Sequence, residues 1–166
     1  MPSRPNTARR SPPLPPLERV LEEHGPAVRR FCVAQAGPQR ADDCFQETVL
    51  AALRAYEDLR DPGAIKTWLF SIAARKAIDA QRATARAPEP TDEIDEQAVA
   101  PAPAAPAGED DIWEQVRALP DKQRHAVTLR FRGDLVHREV ADAMGTTEAA
   151  ARRNVYEGVE RLRKDM

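Results

Sequence analysis

Apolar residues recur at helical spacing in two separated stretches of the chain, and nowhere is there the sustained period-two alternation of a half-buried strand. In the first stretch, Leu17, Val20, Leu21, Val28, Phe31 and Cys32 predict an amphipathic helix, or a helix pair interrupted near Gly25-Pro26. Asp42 or Asp43 is suited to start the next helix, with Phe45, Val49, Leu53 and Tyr56 on one face. Asp61-Pro62-Gly63 predicts a turn. A third helix follows from about Ala64 to Arg82, burying Ile65, Trp68, Leu69, Ile72 and Ile78.

The second stretch opens with Ile112, Val116 and Leu119, a short helix that must stop before Pro120. Asp121 is placed to cap the next helix, which carries Ala126, Val127 and Leu129. After a turn at Gly133-Asp134, Val136, Val140, Ala143 and Met144 form a third apolar stripe, closed by Gly145 as a left-handed cap. Thr146 or Thr147 caps the last helix, and Glu148 suits its positive N-terminal end.

Prolines separate these stretches. Six of the 15 lie in residues 1–16 and five in residues 88–106, where no aromatic residue is present to help offset chain entropy. The expected architecture is therefore all-α. A disordered tail (1–16) precedes two small helical domains (17–82 and 111–166), joined by a flexible Pro/Ala/acidic linker (83–110). With aromatics at only 5%, each core has to be aliphatic. No apolar run is long enough for a membrane span, and no apolar stretch follows Arg4, Arg9 and Arg10 as in a secretory leader. The expectation is a cytoplasmic protein.

The overall charge of −2 hides a pattern that bears on partners. Residues 1–86 carry +4, residues 87–110 carry −7 without a single base, and residues 111–166 carry +1. The acidity is confined to the linker, so net charge does not argue against nucleic acid. Cys32 and Cys44 form no CxxC pair and read as small core residues. His24, His125 and His137 lack metal-ligand spacing. With no nucleophile–base pair and no phosphate-cradling glycine loop, the chain does not read as an enzyme, and no cofactor or metal is expected.

The last two helices read as a helix-turn-helix. Ala141 is small where the helices cross, and Gly145 follows four residues later in the turn. On the final helix Ala151, Val155, Val159 and Leu162 cluster on one side, leaving Arg152, Arg153 and Asn154 near the N-terminal half. Thr147, Ala149 and Ala150 beside them permit close approach. Arginine pairs with guanine and asparagine with adenine in the major groove. The competing explanation is a solvated surface face.

Three stretches carry a resemblance to a known family. They are Ala41–Thr48 (ADDCFQET), Thr67–Arg82 (TWLFSIAARKAIDAQR) and Leu119–Leu162, which opens LPDKQR and continues through LRF and REVADAMG. In this order and separation the chain resembles an extracytoplasmic-function (ECF) RNA polymerase sigma factor, a group that keeps only sigma regions 2 and 4. The resemblance implies that Asp42, Asp43, Gln46 and Glu47 dock on the clamp helices of the polymerase's largest subunit. It implies that Lys66, Thr67, Trp68, Ser71, Arg75, Lys76 and Arg82 engage the melted −10 strand. It implies that Thr147, Ala149, Ala150, Arg152, Arg153 and Asn154 read the −35 element, with the polymerase flap region nearby and an anti-sigma factor as a candidate partner. The chain departs from the family in having Ala74-Arg75 where Arg-Asn is frequent, Asn154 where a basic residue is frequent, and Cys44 in place of Leu.

The implied function is to direct core RNA polymerase to specific promoters and to help open the −10 element. The rival reading is a helix-turn-helix transcriptional regulator with an N-terminal sensing or partner-binding domain. A sigma factor needs core polymerase to bind promoters well, whereas a regulator shifts duplex DNA alone.

The linker generates a prediction of its own. About 17 base pairs between promoter elements span ~58 Å, whereas a relaxed coil of about 24 residues averages ~25–30 Å. With −7 charge and five prolines, the linker is expected to act as an extended acidic strap in a basic polymerase channel. Replacing it with Gly/Ser of equal length should alter initiation or early RNA escape while both domains still bind. Transcription matching wild type across salt concentrations would refute the strap.

Overall fold

A computed structural model describes residues 12–86 and 109–166, with side chains placed over 12–83 and 111–166. Its described part is all-α. The first half holds α1 (Leu17–Ala36), α2 (Pro38–Ala55), two short 3₁₀ turns (Tyr56–Asp58 and Pro62–Ala64) and α3 (Ile65–Arg86). The second holds α4 (Glu109–Arg117), α5 (Asp121–Phe131), α6 (His137–Met144) and α7 (Glu148–Asp165). Most of the expected linker lies outside the described residues, but its two ends are helical, since α3 runs to Arg86 and α4 starts at Glu109. Of the expected tail only residues 12–16 are described. There Leu14 packs on the core and the Tyr56 hydroxyl donates to the Pro15 carbonyl, so this end of the tail is anchored.

Helix α1 is one helix, not two. Pro26 sits inside it with its ring exposed. An interior proline costs roughly 3 kcal/mol through its lost N–H and ring clash. Buried Val20 before it and Val28, Phe31 and Cys32 after it anchor both flanks to one core and offset that cost. The break comes later, at Gly37. Its φ of +82° favours glycine, and its N–H donates to Val33 O at 2.9 Å. Pro38 then opens α2, four residues ahead of the expected start at Asp42 or Asp43.

The buried face of α2 also differs from the expectation. Ala41, Cys44, Thr48 and Ala52 face the core, Phe45 and Val49 are half-buried, and Leu53 is exposed. Small residues let α2 lie close to α1 and α3, and the larger apolar side chains take the flanks. Thr48 is satisfied in the interior because its hydroxyl donates to Cys44 O at 2.7 Å. Asp61 closes the loop to α3 as expected, its carboxylate accepting from Gly63 N at 2.9 Å. On α3, Ile65, Leu69 and Ile72 are buried, while Trp68 and Ile78 are only half-buried.

In the second half, Pro120 rather than Asp121 occupies the cap of α5, and no side chain bonds there. Ile112 and Val136, both expected inside, are exposed. Val136 instead precedes α6, where its N–H donates to the Glu139 carboxylate at 2.9 Å. Gly145 ends α6 in the left-handed conformation (φ +65°), and Thr147 caps α7 by accepting from Ala150 N at 3.2 Å. These two caps shape the helix-turn-helix.

The two halves share one apolar cluster. Val28, Phe31, Leu69 and Phe70 from the first are continuous with Leu129, Leu135, Val140 and Ala151 from the second, as α3 packs against α6. A smaller cluster of Val116, Leu119, Val127 and Leu162 holds α4, α5 and α7 together. There Arg132 stacks over Trp113 at 4.3 Å from the ring centre. Among the described residues no helix is long and apolar enough to cross a membrane.

Helices α5 and α7 cross at Gly158, where an added Cβ would lie 2.7 Å from Val127 Cγ2. Gly158→Ala gains roughly 1 kcal/mol of helix propensity but forces a β-branched neighbour to move, an overpacking cost of ~1–3 kcal/mol. The variant should unfold at lower temperature and lower urea concentration than wild type. A raised melting temperature would show that the crossing has room to spare.

Candidate nucleic-acid interface

Helix α2 presents one outward stripe. Asp43, Gln46 and Glu47 are exposed on it, and Leu50 and Leu53 continue it at 44% and 57% exposure. Asp42 does not belong to it. Half-buried, it turns toward α1 and pairs with Arg29 at 2.6 Å, so one of the four expected docking residues braces the helix pair. The two leucines were missed in the sequence because Leu53 matched the expected core face. Their signal was the spacing Asp43–Gln46/Glu47–Leu50–Leu53, which winds along one side of a helix.

On α3 the expected −10 residues divide. Thr67, Ser71, Arg75 and Arg82 recur every three to four residues or a multiple, and so share one face. Arg75 and Arg82 are exposed, while Ser71 donates to Trp68 O at 2.6 Å and is committed to its own helix. Trp68, on the edge of this face, rests half-buried against Tyr56 with ring centres 5.9 Å apart. Lys66 and Lys76 project to other sides. Lys66 donates to Asp134 O, in the other half, at 3.2 Å.

Helix α7 presents Ala149, Arg152 and Arg153 to solvent behind the Thr147 cap, with Ala150 and Asn154 half-buried. Arg152 is paired with Glu148 at 2.9 Å. Tyr156, 67% exposed, lies on the same shallow surface as Ala149, Arg152 and Arg153. An exposed aromatic beside two arginines belongs to the same candidate face and was not singled out from the sequence.

Between α3 and the second half runs a groove of about 810 Å³. Arg75 and Arg82 line one wall, and Lys122, Arg124, Arg153 and Asn154 the other. The acid among its lining residues, Asp121, already pairs with Arg124 at 2.7 Å. His125 also lines the groove. It is buried, its Nδ1 bonds to the Asp121 carbonyl, and its Nε2 has no partner, so the neutral ring with its proton on Nδ1 fits the site. Burial holds its pKa below the usual histidine value.

Among the described residues no group of His, Cys, Asp and Glu is arranged to hold a metal ion. Cys32 and Cys44 are free and buried, with their thiols in hydrogen-bonding contact. That bond, together with burial, pushes the Cys32 thiol far up and keeps it protonated.

An acid-and-leucine face, a basic helix face and a capped helix-turn-helix thus occur on one short chain. Residues 20–87 match Sigma-70 region 2, and residues 109–162 match Sigma-70, region 4. The ECF RNA polymerase sigma factor SigD of Mycobacterium tuberculosis is 35% identical over 162 residues, covering 90% of this chain and 76% of the relative. The ECF sigma factor RpoE of Cereibacter sphaeroides is 28% identical over 160 residues, covering 89% of this chain and 84% of the relative. The fold is similar to that of the sigma factor RpoE from Bartonella quintana, solved in complex with the anti-sigma factor NepR. The TM-score is 0.74 at 21% identity, with 89% of this chain and 94% of that one covered. The chain belongs to the ECF group of RNA polymerase sigma factors. It directs core RNA polymerase to promoter DNA, and the rival reading as a free-standing regulator falls away.

The neutral, buried His125 gives stability a pH dependence. An unfolded histidine takes a proton near pH 6.5, whereas the folded one resists until lower pH. Its contribution should therefore be whole above that value and fall as the pH drops through about 6.5 toward the depressed folded value. Urea unfolding of wild type and His125→Gln across pH 5–8 checks this. The difference between the two proteins should shrink on acidification, and a constant difference would count against it.

Proposed function

We infer that the three faces divide the work of initiation. The α2 stripe of Asp43, Gln46, Glu47, Leu50 and Leu53 docks on core polymerase. It has the form of a docking patch, two apolar side chains beside charged and polar ones. The α3 face of Thr67, Arg75 and Arg82, with Trp68 at its edge, holds the melted −10 strand. The arginines meet phosphates, and the indole, leaving Tyr56, stacks on a base. The α7 face of Ala149, Arg152, Arg153 and Tyr156 enters the major groove at the −35 element, with Asn154 on its flank. The first helical domain thereby serves polymerase and the −10 element, the second the −35 element, and the linker spans them.

The observation that carries this reading is the separation of charge. Acids and leucines face outward on α2, while exposed arginines lie on α3 and α7. Strand opening on this reading uses binding energy and no enzyme chemistry, since unstacking costs only a few kcal/mol per base. The anti-sigma complex of the Bartonella relative supports an anti-sigma protein as a regulator of this chain, acting in the cytoplasm with the polymerase.

In vitro transcription with core polymerase tests the division of roles. Asp43→Arg combined with Glu47→Arg should abolish co-purification with core while helical content stays unchanged. Arg152→Ala and Arg153→Ala should keep core binding but weaken promoter use, by ~1–3 kcal/mol for each lost base contact. Retained core binding in the first variant, or unchanged promoter use in both of the others, would refute the corresponding assignment.

A further inference from the structure

The chain has two cysteines, and folding brings them together. Cys32 lies on α1 and Cys44 on α2, either side of the Gly37 reversal, and both are buried in the larger apolar cluster. Close by, Arg29 Nη2 pairs with Asp42 at 2.6 Å and ties the same two helix segments. Small size alone does not call for cysteine here. Ala34 on α1 and Ala41 and Ala52 on α2 are buried in these helices without a sulfur.

The two thiols are unequal. The Cys32 S–H donates to the Cys44 sulfur, which holds the Cys44 thiol below the ordinary cysteine value although burial pushes the other way. The same bond, with burial, pushes the Cys32 thiol up, and the nearby Arg29 charge offsets part of that rise. The pair therefore releases one proton and keeps the other, with the thiolate on Cys44 and a protonated thiol against it. A nucleophilic sulfur and a second sulfur able to resolve its oxidised form are already in contact.

We propose that a hydroperoxide oxidises this pair to an intramolecular disulfide, a reversible covalent bridge between α1 and α2. The Cys44 sulfur first attacks one peroxide oxygen. An S–O bond forms, the O–O bond breaks, and the departing hydroxide takes up the proton that Cys44 released. The Cys32 sulfur then attacks the sulfenic sulfur of Cys44. An S–S bond forms, the S–O bond breaks, and the hydroxyl leaves as water with the Cys32 proton. With hydrogen peroxide, two thiols and one peroxide give one disulfide and two waters. Bonded sulfurs lie ~2.05 Å apart, so thiols already in hydrogen-bonding contact need to move only on the order of 1–2 Å. The chemistry uses none of the side chains assigned to polymerase or promoter, so it stands or falls apart from those assignments.

Reduced full-length protein is treated with hydrogen peroxide, denatured with N-ethylmaleimide present, and weighed intact. The treated chain should be a monomer lighter by two hydrogens that takes up no label, and dithiothreitol should restore both thiols. Trypsin should release Phe31–Arg40 and Ala41–Arg54 as one linked pair. Cys32→Ala should stop at a sulfenic acid on Cys44 that dimedone traps, whereas Cys44→Ala should keep Cys32 reduced. Circular dichroism confirms that both variants keep their helices. A glutathione redox buffer then separates a built pair from any two cysteines on one chain. The folded protein should hold the bridge at a higher ratio of reduced to oxidised glutathione than the chain in urea, and the bridged form should unfold at higher urea than the reduced one. Two free thiols after peroxide, a sulfinic acid without a link, or a bridge between two chains overturns the proposal. So does a bridge held no better by the folded protein than by the unfolded chain.

Discussion

Phe70 has no solvent-facing side. It meets Phe31 of α1 edge to face with ring centres 5.7 Å apart, and its far edge reaches the Gly133 turn of the second half. A helix in the middle of a structure must bury two faces, and α3 does so with Leu69, Phe70, Ala73 and Ala77 in the interior. The remaining strip of its surface carries Arg75 and Arg82. The basic face of the chain is therefore positioned by its largest apolar contact, and a change to the packing of Phe70 moves the arginines with it.

The contrast between α3 and α7 follows from how each is held. Helix α7 is fixed by caps at its start and by a tight crossing at Gly158, so its exposed arginines keep their places whichever way the halves lie. Helix α3 is fixed on one side by its own domain and on the other by α6 of the second half. Ser71 and Trp68 are satisfied within the first half, Ser71 on its own helix and Trp68 against Tyr56, whereas Lys66 donates to the second half and Gln81 donates to Gln35 of its own half while accepting from Arg124 of the other.

Much of this was legible in the sequence. The helix-turn-helix was readable in detail because its determinants are local. Gly145 and Thr147 cap by backbone geometry, and Ala141, Ala151, Val155 and Leu162 keep a helical period. Helix α1 was left open between one helix and an interrupted pair, and it is one helix because tertiary contacts hold both flanks of Gly25-Pro26. Helix α2 misled because its core face is built of small residues. Weighting by hydrophobic size put Leu53 inside, where Ala52 lies. The pairing of Asp42 with Arg29 was not foreseen, since Arg29 stands on a different helix and local spacing does not reveal it. The seam between the halves was invisible for the same reason. Nothing in the spacing of Phe70 distinguishes a residue buried in its own domain from one shared by two.

The crossing of α5 and α7 also limits how this sequence can change over generations. Position 158 accepts no side chain while position 127 carries valine, because the two compete for one volume. The positions are therefore a single heritable unit. A lineage reaches a larger residue at 158 only by first shrinking 127, and the reverse order passes through a chain with a strained helix pair. Across descendants the two sites should trade volume, glycine opposite valine and alanine opposite a smaller partner.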